Sequence, residues 1–281
     1  ESGRFYPADV TSAEARLRFY ASRFPVVEVD SSYYGLPSER NARLWAERTP
    51  ESFIFDIKAF RLFTQHQTPP SALPRDVREA IGPVAKRNLY YGDLAAELRE
   101  ALWDRFRLAL EPLRVTGKLG VVLFQFPPWF IYRSVHLGHI LECKQRLDGL
   151  AMAVEFRNRS WFEKGRQEAV LAFEREHDLA HVVVDEPQGI AGSIPAVWAA
   201  TSHATAVVRF HGRNQDNWIK KGINAAERFN YLYSDRELKG FTEPIRQLSE
   251  KSREVHALFN NCYRDNAQRN ALHLQSLLDA D

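Results

Sequence analysis

The sequence predicts an α/β protein of the (β/α)8 TIM-barrel class that lacks the first strand. Two observations lead to this prediction. Seven short apolar runs with the composition of buried strands alternate along the chain with segments of helical spacing. Strands that alternate with helices are typical of a parallel sheet with right-handed crossovers. One early helical segment precedes the first run, so the count fits eight units from which one strand is missing.

Each of the seven runs is rich in β-branched or aromatic residues and ends in charged or amide residues. In chain order the runs are VVEVDSS, FIFDIK, VVLFQFP, MAVEFR, HVVVDEP, AVVRFHGR and VHALFNN. Alternate residues of a strand face the same side, so polar residues two apart share a face. In a parallel barrel the carboxyl ends of the strands form the mouth that carries active sites. The runs therefore predict a polar mouth that binds a ligand.

Three helix starts are marked by a capping residue three positions before Glu or Gln. They are Thr11 with Glu14, Ser234 with Glu237, and Asp265 with Gln268. After Ser234, apolar residues recur at spacings of three and four, which predicts one buried helical stripe formed by Leu238, Phe241, Ile245 and Leu248. Residues 64–95 form a long, proline-rich connection, which indicates either a lid or binding loop or an irregular surface loop.

Length and composition favour one domain over residues 1–281, because 44% of the 281 residues are hydrophobic. The net charge of +2 gives no global attraction to nucleic acid or to an anionic membrane. No apolar run is long enough to span a bilayer. Cys143 and Cys262 lie far apart without CxxC spacing, which predicts reduced thiols in a cytoplasmic protein.

The strand ends supply candidates for acid/base chemistry. Clustered carboxylates push their pKa values apart, so that one can act as an acid and another as a base. We expect Glu28 and Glu155 to transfer protons and Asp185 to orient the reacting groups or bind a metal. Lys58 is either a Schiff-base lysine or, more commonly for such a residue, the cation of a salt bridge.

A second group of residues is predicted to bind the ligand. Arg157, Arg209, His211 and Arg213 can hold an anion, and the last three lie where TIM barrels often bind phosphate. The alternative is that an arginine pairs with Glu155 or Asp185 inside the protein. The remaining ligand-binding candidates are polar or aromatic residues at strand ends, whose rings can stack on a ligand or pack in the core: Gln125, Asn260, Tyr34 and Trp161.

The residues at these strand ends are also compatible with a metal cofactor. If a divalent metal is bound, Glu28, Glu155, Asp185 and His211 form an oxygen-rich set suited to Mg²⁺, Mn²⁺ or Zn²⁺. The alternative is that Arg157 and Arg209, on the same strands, neutralise these carboxylates without a cation. We find no Gly-rich P-loop, GxGxxG or HExxH motif, which removes several classes of enzyme.

Nine segments together resemble the YecE-like proteins, the family called domain of unknown function 72. The segments are GRFYP at 3–7, VEVDSSYYGLPS at 27–38, FDIKAF at 55–60, QFPP at 125–128, EFRNRSWF at 155–162, VVDEP at 183–187, VVRFHGRN at 207–214, YLYSDREL at 231–238 and FNNCYRDNAQRNA at 259–271. The resemblance implies a TIM-barrel fold and no established reaction. It also implies a first strand with a Gly-Thr-Ser-Gly-Trp-like segment, whose place lies before Glu1.

The resemblance further implies which polar residues belong to the family's motifs. The positions are Glu28, Lys58, Gln125, Glu155, Arg157, Asp185, Arg209, His211 and Asn260. The leading hypothesis is a cytoplasmic hydrolase, lyase or isomerase that acts on a small anionic or sugar-containing ligand. One alternative is a nucleic-acid-binding protein or metal-dependent phosphodiesterase resembling apurinic endonucleases, which rests on fold analogy and is not favoured by the net charge. Another alternative is a non-catalytic ligand sensor.

Overall fold

The computed structural model of the chain describes residues 5–83 and 86–280. All seven predicted runs form strands in this part of the chain. They are β1 (Val26–Val29), β2 (Ile54–Lys58), β3 (Leu119–Gln125), β4 (Met152–Glu155), β5 (Leu179–Asp185), β6 (Thr205–Phe210) and β7 (Glu254–Phe259). The α-helices are α1 (Ala13–Ala21), α2 (Ser31–Tyr34), α3 (Glu39–Glu47), α4 (Arg75–Ile81), α5 (Ala96–Val115), α6 (Ser134–Arg146), α7 (Arg166–Glu176), α8 (Gln215–Trp218), α9 (Ala225–Arg228), α10 (Asp235–Ser249) and α11 (Asn266–Asp279).

The chain divides into two compact units. One is Pro25–Met152 and holds β1 to β3, and we call it the β1–β3 unit. The other consists of Glu1–Phe24 and Ala153–Asp281, and we call it the β4–β7 unit because it holds β5 to β7 and nearly all of β4. Strands pair in parallel within each unit, from β1 to β3 in the first and from β5 to β7 in the second. The expectation that residues 1–281 form one domain stays a prediction.

The predicted apolar stripe of α10 forms part of the core of the β4–β7 unit. Its four residues are buried in one hydrophobic cluster with Val208 and Phe210 of β6. Ser234 caps this helix, since its hydroxyl accepts a hydrogen bond from the amide of Glu237 and the Glu237 carboxylate accepts one from the amide of Ser234. Both predictions about α10 are therefore confirmed.

The other two predicted helix starts differ in detail. The first helix begins one residue later than expected, because the hydroxyl of Ser12, not that of Thr11, accepts a hydrogen bond from the amide of Ala15 at 3.0 Å. Asp265 does precede α11, but its side chain makes no capping hydrogen bond there. Sequence spacing thus located both helices and misplaced the capping contacts.

Regular structure occurs within the long connection at residues 64–95. Its described residues, 64–83 and 86–95, include α4, two short 3-10 turns and an antiparallel bridge between Thr68 and Leu89. Its role as a lid or binding loop stays a prediction. None of the described helices is long and apolar enough to cross a membrane.

A buried lysine ties α3 to β3 in the β1–β3 unit. The ammonium nitrogen of Lys118 donates hydrogen bonds to the backbone oxygens of Ala46 and Thr49, at 2.6 and 2.7 Å, and to the Thr49 hydroxyl at 3.2 Å. These acceptors lie at the carboxyl end of α3, where backbone carbonyls have no partner within the helix. Lys118 therefore caps the helix, and its burial lowers the pKa of the ammonium group.

Lys118→Met is expected to lower the free energy of unfolding by about 2–4 kcal/mol, because methionine fills the space and leaves one buried and one partly buried carbonyl oxygen without this donor. Urea unfolding measures this difference. Lys239→Met is the control, since Lys239 is 61% exposed and forms only a surface ion pair. The capping role would be contradicted if the two variants unfolded at the same urea concentration.

Candidate active site at the carboxyl ends of β4 to β7

The carboxyl ends of the strands in the β4–β7 unit bring seven of the predicted site residues together. The backbone ladder continues past the strand ends, because the amide of His211 donates to the carbonyl of Asp185 and the amide of Asn260 donates to the carbonyl of Phe210, both at 2.8 Å. This register places side chains from consecutive strands next to each other. The seven residues are Glu155, Arg157, Asp185, Arg209, His211, Arg213 and Asn260.

Glu155 is the centre of this cluster. Its side chain and that of Arg209 are both 0% exposed and form an ion pair through Oε2 and Nη1. The other oxygen, Oε1, lies 3.3 Å from Arg157 Nη1 and 3.3 Å from His211 Nε2. Burial alone would raise the pKa of Glu155, but the positive charge of Arg209 and the hydrogen bond from His211 hold it well below its usual range. Glu155 is therefore a fixed negative charge.

His211 is a neutral hydrogen-bond donor to Glu155. Its Nδ1 lies 3.0 Å from the side-chain nitrogen Nδ2 of Asn260, which donates a hydrogen bond to it. The ring proton is therefore assigned to Nε2 and points at Glu155. Burial lowers the pKa of His211 to about 3, although Glu155 favours the charged form. The positively charged form of His211 is thus not populated near neutral pH, so His211 adds no positive charge for an anion.

The sequence analysis missed Glu186, a second buried carboxyl group beside Arg157. Glu186 Oε2 lies 2.8 Å from Arg157 Nη1, but the angle is not that of a hydrogen bond, so the contact is an ion pair. Its Oε1 accepts a hydrogen bond from the amide of Ile194 at 2.7 Å. Burial raises the pKa of Glu186 to about 7, against the opposing charge of Arg157. The only signal in the sequence was its position directly after Asp185 in the run VVDEP.

Asp185 is held by several contacts within the protein. The Arg213 guanidinium binds both of its oxygens, with distances of 2.6 to 3.1 Å, and the Tyr233 hydroxyl donates to Oδ2 at 2.6 Å. The same hydroxyl accepts from the amide of Gly212 at 2.9 Å. Gly212 has φ +83° and a Cβ there would lie 2.6 Å from Tyr231 Cβ, so only glycine fits this turn. The geometry makes Asp185 an anchor for Arg213.

All three arginines form ion pairs with carboxyl groups of the protein, Arg157 and Arg209 with Glu155 and Arg213 with Asp185. Arg209 is fully buried, whereas Arg157 and Arg213 retain 17% and 36% exposure of their side chains. Trp161 is also fully buried and stacks on Phe156, with ring centroids 4.0 Å apart. Among the predicted cations and aromatics of this unit, Arg157 and Arg213 are the ones that reach solvent.

The remaining candidates belong to the β1–β3 unit. Lys58 forms a salt bridge with Asp30 at 2.9 Å, the more common of the two roles considered for it. Tyr34 is 64% exposed. Glu28 and Gln125 are half-buried. Their assignment to a site shared with Glu155 stays a prediction.

The described residues 5–83 and 86–280 bring together no group of three or more His, Cys, Asp or Glu side chains that could hold a metal ion. Of the four residues predicted to hold a metal if one is bound, Glu155 and His211 are in contact with each other. Asp185 is occupied by Arg213 and Tyr233, and Glu28 lies in the β1–β3 unit.

Seven parallel strands that follow one another in chain order, with helices between them, define the class of α/β barrel proteins. The sequence pattern of the family described as "Protein of unknown function DUF72" matches residues 1–281, and the chain belongs to this family. The resemblance noted in the sequence is thereby confirmed.

Relatives and solved structures support the same assignment. The chain is 35% identical to the UPF0759 protein YunF of Bacillus subtilis over 274 residues, which cover 96% of this chain and 89% of that protein. A crystal structure of a DUF72 protein from Enterococcus faecalis matches 99% of this chain and 92% of its own at 26% identity, with a TM-score of 0.82. A DUF72 protein from Thermotoga maritima matches 99% and 94% at 29% identity, with a TM-score of 0.73. The predicted fold class, a (β/α)8-type fold without its first strand, is confirmed.

Proposed function

We propose that this protein is an enzyme that binds a small anionic or sugar-containing ligand and transfers a proton through Glu186. One observation carries the proposal. Two buried carboxyl groups, Glu155 and Glu186, contact the same guanidinium nitrogen of Arg157, and their pKa values are displaced in opposite directions. Titratable pairs whose environments separate their pKa values mark the acid and base of many active sites.

The two carboxyl groups have different roles in this proposal. Glu155 stays ionised because Arg209 compensates its charge, so it fixes the position of Arg157 and contributes negative charge. Glu186 has a pKa of about 7, close to the pH at which a general acid or base is most effective. At neutral pH both the protonated and the ionised form of Glu186 are accessible, so the same residue can donate or accept a proton.

Arg157 is the ligand-binding residue of the group. Its side chain is 17% exposed, whereas those of Glu155 and Glu186 are fully buried. The central carbon of the guanidinium lies 5.5 Å from the centroid of the Trp218 ring, which is a cation–π contact. A planar guanidinium suits carboxylate and phosphate groups because it can donate two parallel hydrogen bonds. This chemistry supports an anionic ligand whose reacting atom lies near Glu186.

We also propose that the protein acts in the cytoplasm. Cys143 and Cys262 are both thiols, the first buried and the second exposed. Disulfides are rare in the reducing cytoplasm, where exposed thiols persist.

The test is proton NMR of a panel of sugar phosphates and sugar acids incubated with the protein in deuterated water. We expect deuterium incorporation or product formation for at least one compound with the wild-type protein. Glu186→Gln should lose this activity by about 100-fold or more, the typical contribution of a general acid or base. Glu243→Gln is the matched control, since Glu243 is exposed on α10 and the activity should be unchanged.

Two outcomes would contradict the proposal. The first is a compound that raises the melting temperature but shows neither exchange nor product, which would indicate the non-catalytic sensor. The second is equal activity of Glu186→Gln and Glu243→Gln, which would exclude Glu186 from proton transfer.

A further inference from the structure

The β1–β3 unit carries a row of four aromatic rings next to two cations. The rings of Tyr34, Tyr33, His66 and Trp129 contact one another edge to face in this order, with centroids 5.0, 5.2 and 5.8 Å apart. The two ends of the row are exposed, Tyr34 at 64% and Trp129 at 52%. The rings come from segments that follow β1, β2 and β3, so the carboxyl ends of three consecutive strands build the row. We call these four residues the aromatic row.

Backbone contacts fix the centre of the row. The amide of Arg61 donates to the carbonyl of Tyr33 at 3.1 Å, and the Ser32 hydroxyl lies 2.7 Å from the carbonyls of Val29 and Lys58. These contacts join the short helix α2 to the end of β2. The row is therefore part of the rigid strand ends.

The cations are Lys58 and Arg61, which lie 5.0 and 5.2 Å from the centroid of the Tyr33 ring. Lys58 has a counter-charge, since its ammonium nitrogen is 2.9 Å from Asp30. Arg61 differs, because its Nε is buried and has no hydrogen-bond acceptor among the described residues. A buried donor without an acceptor is unfavourable, and an oxygen atom of a bound ligand that reaches Nε would satisfy it.

The electrostatics of His66 show the effect of these cations. Burial, Arg61 and Lys58 together lower the pKa of His66 to about 4, so the ring is neutral at pH 7. Its Nδ1 lies 2.8 Å from the Thr64 hydroxyl. Asp30 offsets the charge of Lys58, which leaves Arg61 as the uncompensated charge beside the row. The surroundings of His66 are therefore positive and favour an anion.

We propose that this group binds the phosphate of a small phosphorylated ring compound, with the phosphate on Arg61 and the ring of the ligand against Trp129 or Tyr34. An arginine fork matches the oxygens of a phosphate, and Lys58 adds charge without a further contact. Exposed aromatic rings stack on sugar or base rings. This inference does not rest on proton transfer by Glu186.

The test is an NMR titration of the ¹⁵N-labelled His66 ring with inorganic phosphate and with ribose 5-phosphate. Both probes should shift the His66 signals, and saturation should raise the pKa of His66, because a bound anion favours the charged imidazolium. Arg61→Gln should weaken both probes by at least about 10-fold, as expected for loss of one charged hydrogen bond. At least one of Trp129→Ala and Tyr34→Ala should weaken the binding of ribose 5-phosphate, and both should leave the binding of inorganic phosphate unchanged.

Arg43→Gln is the matched control, because Arg43 is an exposed arginine of the same unit, and its affinities should equal those of the wild type. Trp129→Ala changes an exposed side chain, so it remains informative if Arg61→Gln does not fold. Unmoved His66 signals at millimolar phosphate, or equal affinities of Arg61→Gln and Arg43→Gln, would overturn the inference. Phosphate binding in a protein without exchange activity would instead support this inference and contradict only the role of Glu186.

Discussion

Glu155→Leu is expected to lower the free energy of unfolding by about 3–5 kcal/mol, among the largest losses from one substitution in this chain. The cause is the fully buried Arg209, which would lose the carboxylate with which it forms its ion pair. Arg157 and His211 would lose the same partner. Urea unfolding at pH 7 measures the loss, with circular dichroism as the signal.

A double-mutant cycle separates the ion pair from the loss of packing. Arg209→Met is expected to destabilise less than Glu155→Leu, because Glu155 keeps its contacts with Arg157 and His211. The double variant should be more stable than the sum of the two single losses predicts, since neither charge is then buried alone. Additive losses would contradict the coupling, and Glu243→Gln should stay within about 0.5 kcal/mol of wild type.

The contribution of Glu155 also has a defined pH dependence. Its pKa in the folded protein is well below the ordinary value of 4.5. A carboxyl group with a lowered pKa stabilises the folded state above its unfolded pKa, and this stabilisation is lost as the pH falls through the folded value. The part of the stability difference between the wild type and Glu155→Leu that comes from the titration of Glu155 itself should therefore be constant from pH 6 to 8 and be lost in acid, whereas any change between pH 6 and 8 reports the coupling of Glu155 to Glu186.

Local sequence patterns predicted the strands and their polar ends. A run such as HVVVDEP is buried along its whole length, and its β-branched composition is sufficient to identify it. The stripe of α10 is equally local, because Leu238 and Phe241 face the same side of any helix. Such features depend on the order of residues within one element, which the sequence states directly.

Local sequence patterns did not predict which side chains pair with each other within the site. Asp185 and Glu186 are adjacent, yet Asp185 binds Arg213 and Glu186 contacts Arg157. Consecutive residues at a strand end point in different directions, and the loop that follows decides what each one meets. Lys58 likewise pairs with Asp30 from the preceding strand end. These contacts join segments distant in sequence, so only the folded chain determines them.

The raised pKa of Glu186 also arises from contacts between segments that are distant in sequence. It leads to the second large prediction. Its pKa of about 7 compares with an ordinary value of 4.5. Between these two values the unfolded chain has released the proton and the folded protein still holds it, so folding becomes less favourable as the pH rises. The contribution of Glu186 to the free energy of unfolding of the wild type should therefore fall by roughly 3 kcal/mol between pH 4.5 and 8, at 1.36 kcal/mol for each pKa unit.

Glu186→Gln removes this titration and keeps an oxygen that can accept from the amide of Ile194. The free energy of unfolding of the wild type minus that of the variant should therefore fall by roughly 3 kcal/mol from pH 4.5 to 8 and be constant above pH 8. Urea unfolding of both proteins at half-unit pH intervals gives this difference, in which the other titrating groups cancel. Glu243→Gln should show no such change. A constant difference across the whole range would mean that Glu186 is already ionised below pH 5, and the carboxyl group could then not supply a proton at neutral pH.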